Sequence, residues 1–177
     1  TVTLVGLRGS GKTTVGKLLA QKLGVSFVDL DQELTECFGL EGESTGELLS
    51  RVGEEEFRDL EERALADCLE RGIPQVLATG GGAVLRLTNR RLLIERSFCV
   101  WLQASPEELS RRVHAQAAES PEASVRPALT DLDPLEEMRH LAETRREHYA
   151  AVAGIPCDTA SRSPEEVAAE IFSKLPQ

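Results

Sequence analysis

The residues Gly6-Leu7-Arg8-Gly9-Ser10-Gly11-Lys12-Thr13 match the pattern G-x-x-x-x-G-K-[ST]. Glycines in this pattern let backbone N–H groups curl around phosphate oxygens, and a helix opening at the loop adds the positive end of its dipole. Lys12 is spaced to reach the outer phosphates of a nucleotide, and the Thr13 hydroxyl to ligate Mg2+. Gly9, Ser10, Gly11, Lys12, Thr13 and Thr14 are therefore the expected nucleotide contacts. Arg8 adds a further charge inside the loop or points to solvent.

A second pair of chemical residues follows. The run 25–30 reads as a strand and leads into Asp29-Leu30-Asp31. Residues two apart on a strand point to the same side, so both carboxylates are expected to project from its carboxyl end. Open α/β sheets bind ligands at that edge. One carboxylate would help to hold Mg2+ through water, and the other would orient or deprotonate a substrate hydroxyl. The competing reading of the pair is a solvated acidic turn.

Two nucleotide-hydrolysing classes are disfavoured. The sole Asn, Asn89, lies in Thr88-Asn89-Arg90-Arg91, so there is no N-K-x-D base-reading motif. The third strand, over 75–79, runs into glycine and lacks the Asp-Glu end of motor-type ATPases. What remains is a small kinase that transfers a phosphoryl group to a metabolite.

The elements that must carry these residues alternate. Val2–Val5 is a buried strand, and 13–23 is a helix whose apolar face is Val15, Leu18, Leu19 and Leu23, with Gly24 to end it. A helix over 55–71 buries Phe57, Leu60, Ala64, Leu65, Cys68 and Leu69. Further strands are expected over 98–102 and 155–158. Ser105-Pro106, Asp133-Pro134 and Ser163-Pro164, each followed by Glu in the first turn, announce three helix starts. Alternating strands and helices imply a mostly parallel sheet covered on both faces. The stretch 117–131, rich in Ala, Glu, Ser and Pro, breaks the rhythm and reads as a lid or a surface loop.

With 177 residues, 41% hydrophobic and 28% charged, the chain 1–177 suits one globular domain. Thirty Asp and Glu against twenty Lys and Arg give a net charge of −10, which argues against a nucleic-acid partner. No apolar run approaches the ~18 residues of a membrane span. The N-terminus shows no targeting pattern, so a cytoplasmic protein is expected, and no oligomerisation pattern argues against a monomer. Cys37, Cys68, Cys99 and Cys157 form no C-x-x-C pair and read as buried free thiols.

Taken in order, Gly6 to Thr13, Asp29-x-Asp31, Gly53-Glu54-x-x-Phe57-Arg58-x-x-Glu61, Gly80-Gly81-Gly82, Arg126-Pro127 and Arg145-x-x-x-Tyr149 resemble the shikimate kinase family over nearly the whole chain. The resemblance implies a P-loop three-layer α/β sandwich of the nucleoside-monophosphate-kinase type. Its five-stranded parallel sheet would run in the order 2-3-1-4-5, with helices on both faces. It implies ATP- and Mg2+-dependent phosphorylation of the 3-hydroxyl of shikimate, a step of aromatic amino acid biosynthesis. Asp31, Arg58, Gly80, Gly81, Gly82 and Arg145 would hold shikimate, within a substrate-binding segment of about 32–62 and beyond it. Two arginines suit its carboxylate, and Asp31 suits a hydroxyl. Thr13 and Asp29 would position Mg2+. Lys12, Asp31 and Arg126 would be catalytic, with Arg126 brought to the phosphates by a lid over about 112–131. Arg112 and the segment Arg162-Ser163-Pro164 would flank adenine, and Glu61 would orient Arg58.

The stretch 39–46 is longer than is usual for that family, and the lid is longer and carries Glu119 and Glu122. Two other functions stay open on the residues alone. One is a kinase of another small hydroxy acid, such as gluconate. The other is a non-catalytic ligand-sensing domain of a larger regulator, which would carry a DNA-binding segment before Thr1.

Overall fold

The computed structural model describes residues 1–119 and 133–176. Five strands form one parallel sheet: β1 (Val2–Val5), β2 (Ser26–Asp29), β3 (Gln75–Ala78), β4 (Phe98–Gln103) and β5 (Ile155–Asp158). Their spatial order is β2-β3-β1-β4-β5, as the family resemblance implies. Strand alternation divides the core. Leu4, Val76, Val100 and Leu102 face one side, and Val5, Leu77 and Cys99 face the other.

Helices α1 (Lys12–Leu23) and α8 (Pro164–Lys174) cover the first side with Val15, Leu19, Val167 and Ile171. The other side is covered by α4 (Glu54–Glu70) and α7 (Pro134–Val152), together with α2 (Leu30–Phe38), α3 (Thr45–Val52) and α5 (Leu87–Arg96). Helix α6 (Pro106–Glu119) packs on α7. The three proline-marked starts behave as expected. Ser105 and Asp133 accept backbone N–H groups from Glu108 and Leu135, and Ser163 forms a reciprocal capping box with Glu166.

Several expectations are corrected. Strand β2 stops at Asp29, so Asp31 lies in the first turn of α2 and not on the strand. The chain turns because the Asp29 carboxylate accepts from the Asp31 N–H at 3.1 Å and caps the new helix. Helices α2, α3 and α5 were not legible in the hydrophobic pattern, for each buries only two residues. Residues 45–46 of the long 39–46 stretch already belong to α3. Arg51 fastens the rest by a fork onto both oxygens of Glu43, at 2.7 and 2.8 Å. That pairing holds the Glu43 carboxyl down at about 2. Residues 112–119 of the expected lid continue helix α6. The remainder of that segment, with Glu122 and Arg126, lies outside the described residues. No described helix is long and apolar enough to cross a membrane.

The cysteine expectation holds for three residues and fails for one. Cys68, Cys99 and Cys157 are buried, whereas Cys37 is exposed near the end of α2. Burial pushes the thiols of Cys68 and Cys99 up to about 11, and that of Cys157 upward. At pH 8 only about one in a thousand of the first two is thiolate. A thiol reagent at pH 8 should therefore modify Cys37 in the native protein and the other three only after unfolding. Rapid modification of more than one thiol in the native state would contradict this burial pattern.

Candidate functional site

Two cavities open at the carboxyl edge of the sheet. The larger, about 720 Å3, lies along the phosphate loop. Gly6 and Gly9 have φ of 145° and 81°, a region that L side chains avoid. A Cβ at these positions would also meet the backbone oxygens of Leu102 and Leu109, at 2.6 and 2.8 Å. The loop thus lies tight against β4 and α6 and runs into the N-terminus of α1 at Gly11. Lys12 Nζ donates to the carbonyls of Gly6 and Leu7, both at 2.9 Å, so its ammonium is folded across the loop. Thr13 Oγ1 donates to Asp29 Oδ2 at 2.9 Å, joining the start of α1 to the end of β2.

Gly9, Ser10, Gly11, Lys12, Thr13, Thr14, Arg112 and Arg162 all line this cavity, as does Asp29. Arg112 is held by its own helix and by the residue that follows β5. It donates to Glu108 at 2.7 Å, to Thr159 Oγ1 at 2.9 Å and to the Thr159 carbonyl at 2.7 Å. Bonds from Arg111 and then Arg112 hold the Glu108 carboxyl at about 2. Arg162 pairs with Glu170 and donates to the Asp158 carbonyl. Arg112, Arg162 and Pro164 all line this cavity, and a partly exposed guanidinium suits stacking on a planar ring.

The smaller cavity, about 340 Å3, contains Asp31, Arg58, Glu61, Gly80, Gly81, Gly82 and Arg145. The two arginines are not the surface residues that their charge-rich helices suggest. Arg145 is 8% exposed, and the Arg58 side chain 12%. Arg58 Nη1 donates to Glu61 at 2.7 Å, while its Nε–H is buried with no hydrogen-bond partner among the described residues. Arg145 Nη1 and the Tyr149 hydroxyl both donate to the Gly81 carbonyl, at 3.0 and 2.6 Å. Burial pushes the Glu61 carboxyl above its ordinary range against the pull of Arg58, Arg145 and Arg86. Burial also pushes the Tyr149 phenol up to about 12.

The glycine triplet owes its identity to crowding. A Cβ at Gly80 would lie 2.9 Å from Glu61 Oε1 and 3.0 Å from Asp31 Oδ1. One at Gly82 would overlap the Arg58 guanidinium, and one at Gly81 would touch Arg145. None of the three has a positive φ, so at Gly80 and Gly82 it is space and not backbone conformation that favours glycine. The two cavities share Arg8, Asp31 and Gly81.

A family model described as shikimate kinase matches residues 8–176. A shikimate kinase of Symbiobacterium thermophilum is 44% identical over 174 residues, covering 98% of this chain and 95% of that one. The chain belongs to the shikimate kinase family. Among solved structures, a shikimate kinase from Acinetobacter baumannii in complex with shikimate superposes with a TM-score of 0.85 at 32% identity, covering 99% of this chain and 94% of that one. A gluconokinase from Sinorhizobium meliloti superposes with a TM-score of 0.62 over 98% of this chain and 89% of that one; at 19% identity this shows a shared fold alone.

In this shikimate kinase family member the residues expected from sequence fall into the two cavities, apart from Arg126, which lies outside the described residues. Others that sequence reasoning did not single out also matter to the geometry. Thr159 and Glu108 both hold Arg112, and only the approach of the chain after β5 to α6 brings Thr159 to it. Glu137 of α7 and Thr45 of α3 line the smaller cavity, and Thr45 Oγ1 reaches the Asp31 carbonyl at 3.2 Å. Tyr149→Phe should remove one of the two donors to Gly81 and leave the ring stacked on Trp101 at 5.7 Å. We expect a loss of about 1 kcal/mol in urea unfolding. A loss of about 3 kcal/mol or more would mean that the ring had lost its packing.

Proposed function

We propose that the chain is an ATP-dependent kinase that phosphorylates the 3-hydroxyl of shikimate. The observation that carries this reading is the convergence of a phosphate loop with a cavity holding two largely shielded arginines and a carboxylate, Asp31, at the junction. Shikimate offers one carboxylate and three hydroxyls. Arg58 and Arg145 suit the carboxylate, and the unpartnered Nε–H of Arg58 is a donor awaiting an anion. Glu61 keeps the Arg58 fork aimed. Asp31 would accept from the 3-hydroxyl and take its proton as the oxygen attacks. Gly80, Gly81 and Gly82 would let the acceptor ring approach the backbone.

On the nucleotide side, the N–H groups of Gly9, Ser10 and Gly11 and the N-terminus of α1 would cradle the phosphates. Lys12 would exchange its two carbonyl partners for phosphate oxygens. Arg112 and the Arg162-Ser163-Pro164 segment would enclose adenine. Arg126 would come in as a further cation from the lid. Thr13 and Asp29 provide a hydroxyl and a carboxylate, hard oxygen donors that fit Mg2+. Such a Mg2+ would be held mainly by phosphate oxygens and water. When bound, Mg2+ would supply charge neutralisation at the outer phosphates. Positioning by these groups would do more than basicity, because phosphoryl transfer passes through a loose transition state. The reading carries with it a cytoplasmic monomer, and the net charge of −10 speaks against a nucleic-acid partner.

A coupled assay of ADP release with shikimate, gluconate or no acceptor tests the assignment. Turnover should require shikimate and be abolished by EDTA. Release driven by gluconate, or by no acceptor, would overturn it. Asp31→Asn should lower kcat by about 10²-fold or more and leave ATP affinity within about threefold. Turnover close to that of the unaltered enzyme would remove Asp31 from the chemistry.

A further inference from the structure

Three residues line both cavities: Asp31, Gly81 and Arg8. Any group handed from one cavity to the other must pass between them. Asp31 and Gly81 have roles in the reading above, whereas Arg8 has none. The phosphate-loop pattern leaves its position open, so the loop itself does not demand arginine there. The backbone N of Arg8 lies 3.7 Å from where a Gly81 Cβ would stand, so the loop abuts the glycine triplet at this residue. The side chain is only partly exposed, and burial weakens its hold on the proton while Glu137 across the cavity strengthens it. Arginine stays charged through such a shift. A cation is thus held, partly desolvated, at the crossing point, with a carboxylate of α7 as counter-charge.

Arg58 and Arg145 already bracket the far wall of the smaller cavity at Gly81 and Gly82. Arg8 stands on the phosphate-loop side. We propose that Arg8 contacts the transferring phosphoryl group at the junction of the cavities and stabilises the charge on its oxygens during transfer. This rests on the kinase reading above. In the step concerned, the bond from phosphorus to the bridging oxygen of ADP breaks and the bond to the acceptor oxygen forms. The hydroxyl proton passes to Asp31, and ADP leaves with the bonding pair. Arg8 neutralises charge on the equatorial oxygens, and Glu137 gives up its hold as the more highly charged phosphoryl group arrives.

The test uses the full chain with Arg8→Met, which keeps length without charge, Arg8→Gln, which is neutral but polar, and Arg8→Lys. Thermal melts establish folding, and the second neutral variant carries the test should the first fail to fold. Both neutral variants should lose about 10²-fold in kcat, with KM for ATP and for shikimate within about threefold of the unaltered enzyme. Arg8→Lys should recover part of the loss. Independently of turnover, affinity for ADP with aluminium fluoride and shikimate, a mimic of the group in flight, should fall by a similar factor, while affinity for ADP alone holds. A rise in KM for shikimate with kcat unchanged would make Arg8 a ligand of the acceptor and overturn the proposal. Unchanged kinetics would overturn it too, as a solvated loop residue. If the unaltered enzyme fails to turn over shikimate, the kinase reading falls first; if it turns over and the neutral variants match it, only the role of Arg8 falls.

Discussion

No side chain can stand at Gly80 or Gly82 without displacing a charged group, and this crowding ties the site together. Gly80 is flanked by Asp31 and Glu61, Gly81 by Arg145, and Gly82 by Arg58. These partners come from α2, α4 and α7, so the turn after β3 is where three helices are brought to one edge of the sheet. The Gly81 carbonyl is the fastening point, since Arg145 and Tyr149 both donate to it. A carbonyl with two donors holds α7 over the turn after β3, and Tyr149 extends that grip to β4 through Trp101.

The electrostatics follow from the same arrangement. The chain is strongly acidic, yet the walls of both cavities are rich in arginine. Four arginines of the site are each held by a carboxylate or a carbonyl: Arg58 by Glu61, Arg112 by Glu108 and Thr159, Arg145 by Gly81, Arg162 by Glu170. Aimed in advance, such cations need little reorganisation when an anion arrives. Asp29 serves twice, as the cap of α2 and as the partner of Thr13, so the turn that places Asp31 also places the Thr13–Asp29 pair.

The phosphate loop was fully legible in the sequence because its function is local. Glycine spacing, lysine and threonine act within eight consecutive residues, and the strand before and the helix after show strong apolar periodicity. The long helix α4 and the three Pro-marked helices were legible for similar reasons. Helix α3 carried a readable signal in Ser44 and Glu47, the two halves of a capping box, but its short apolar stripe gave that signal no support. Helices α2 and α5 bury too few residues to stand out from loops.

Sequence by itself determined the glycine-rich loop pattern, the alternating order of strands and helices, and, by resemblance, the family. Tertiary structure decided what those residues face. Arg58 and Arg145 look like solvated charges along their helices, and only the packing of α4 and α7 over the turn after β3 largely removes them from water. Asp29 and Asp31 share an edge through a helix cap, not through strand alternation. Arg8 gains a place between two cavities only because β1 and β3 are neighbours in the sheet. Local patterns follow from periodicity and backbone chemistry. Desolvation, crowding and the meeting of distant segments depend on which elements become neighbours, and no stretch of sequence contains that by itself.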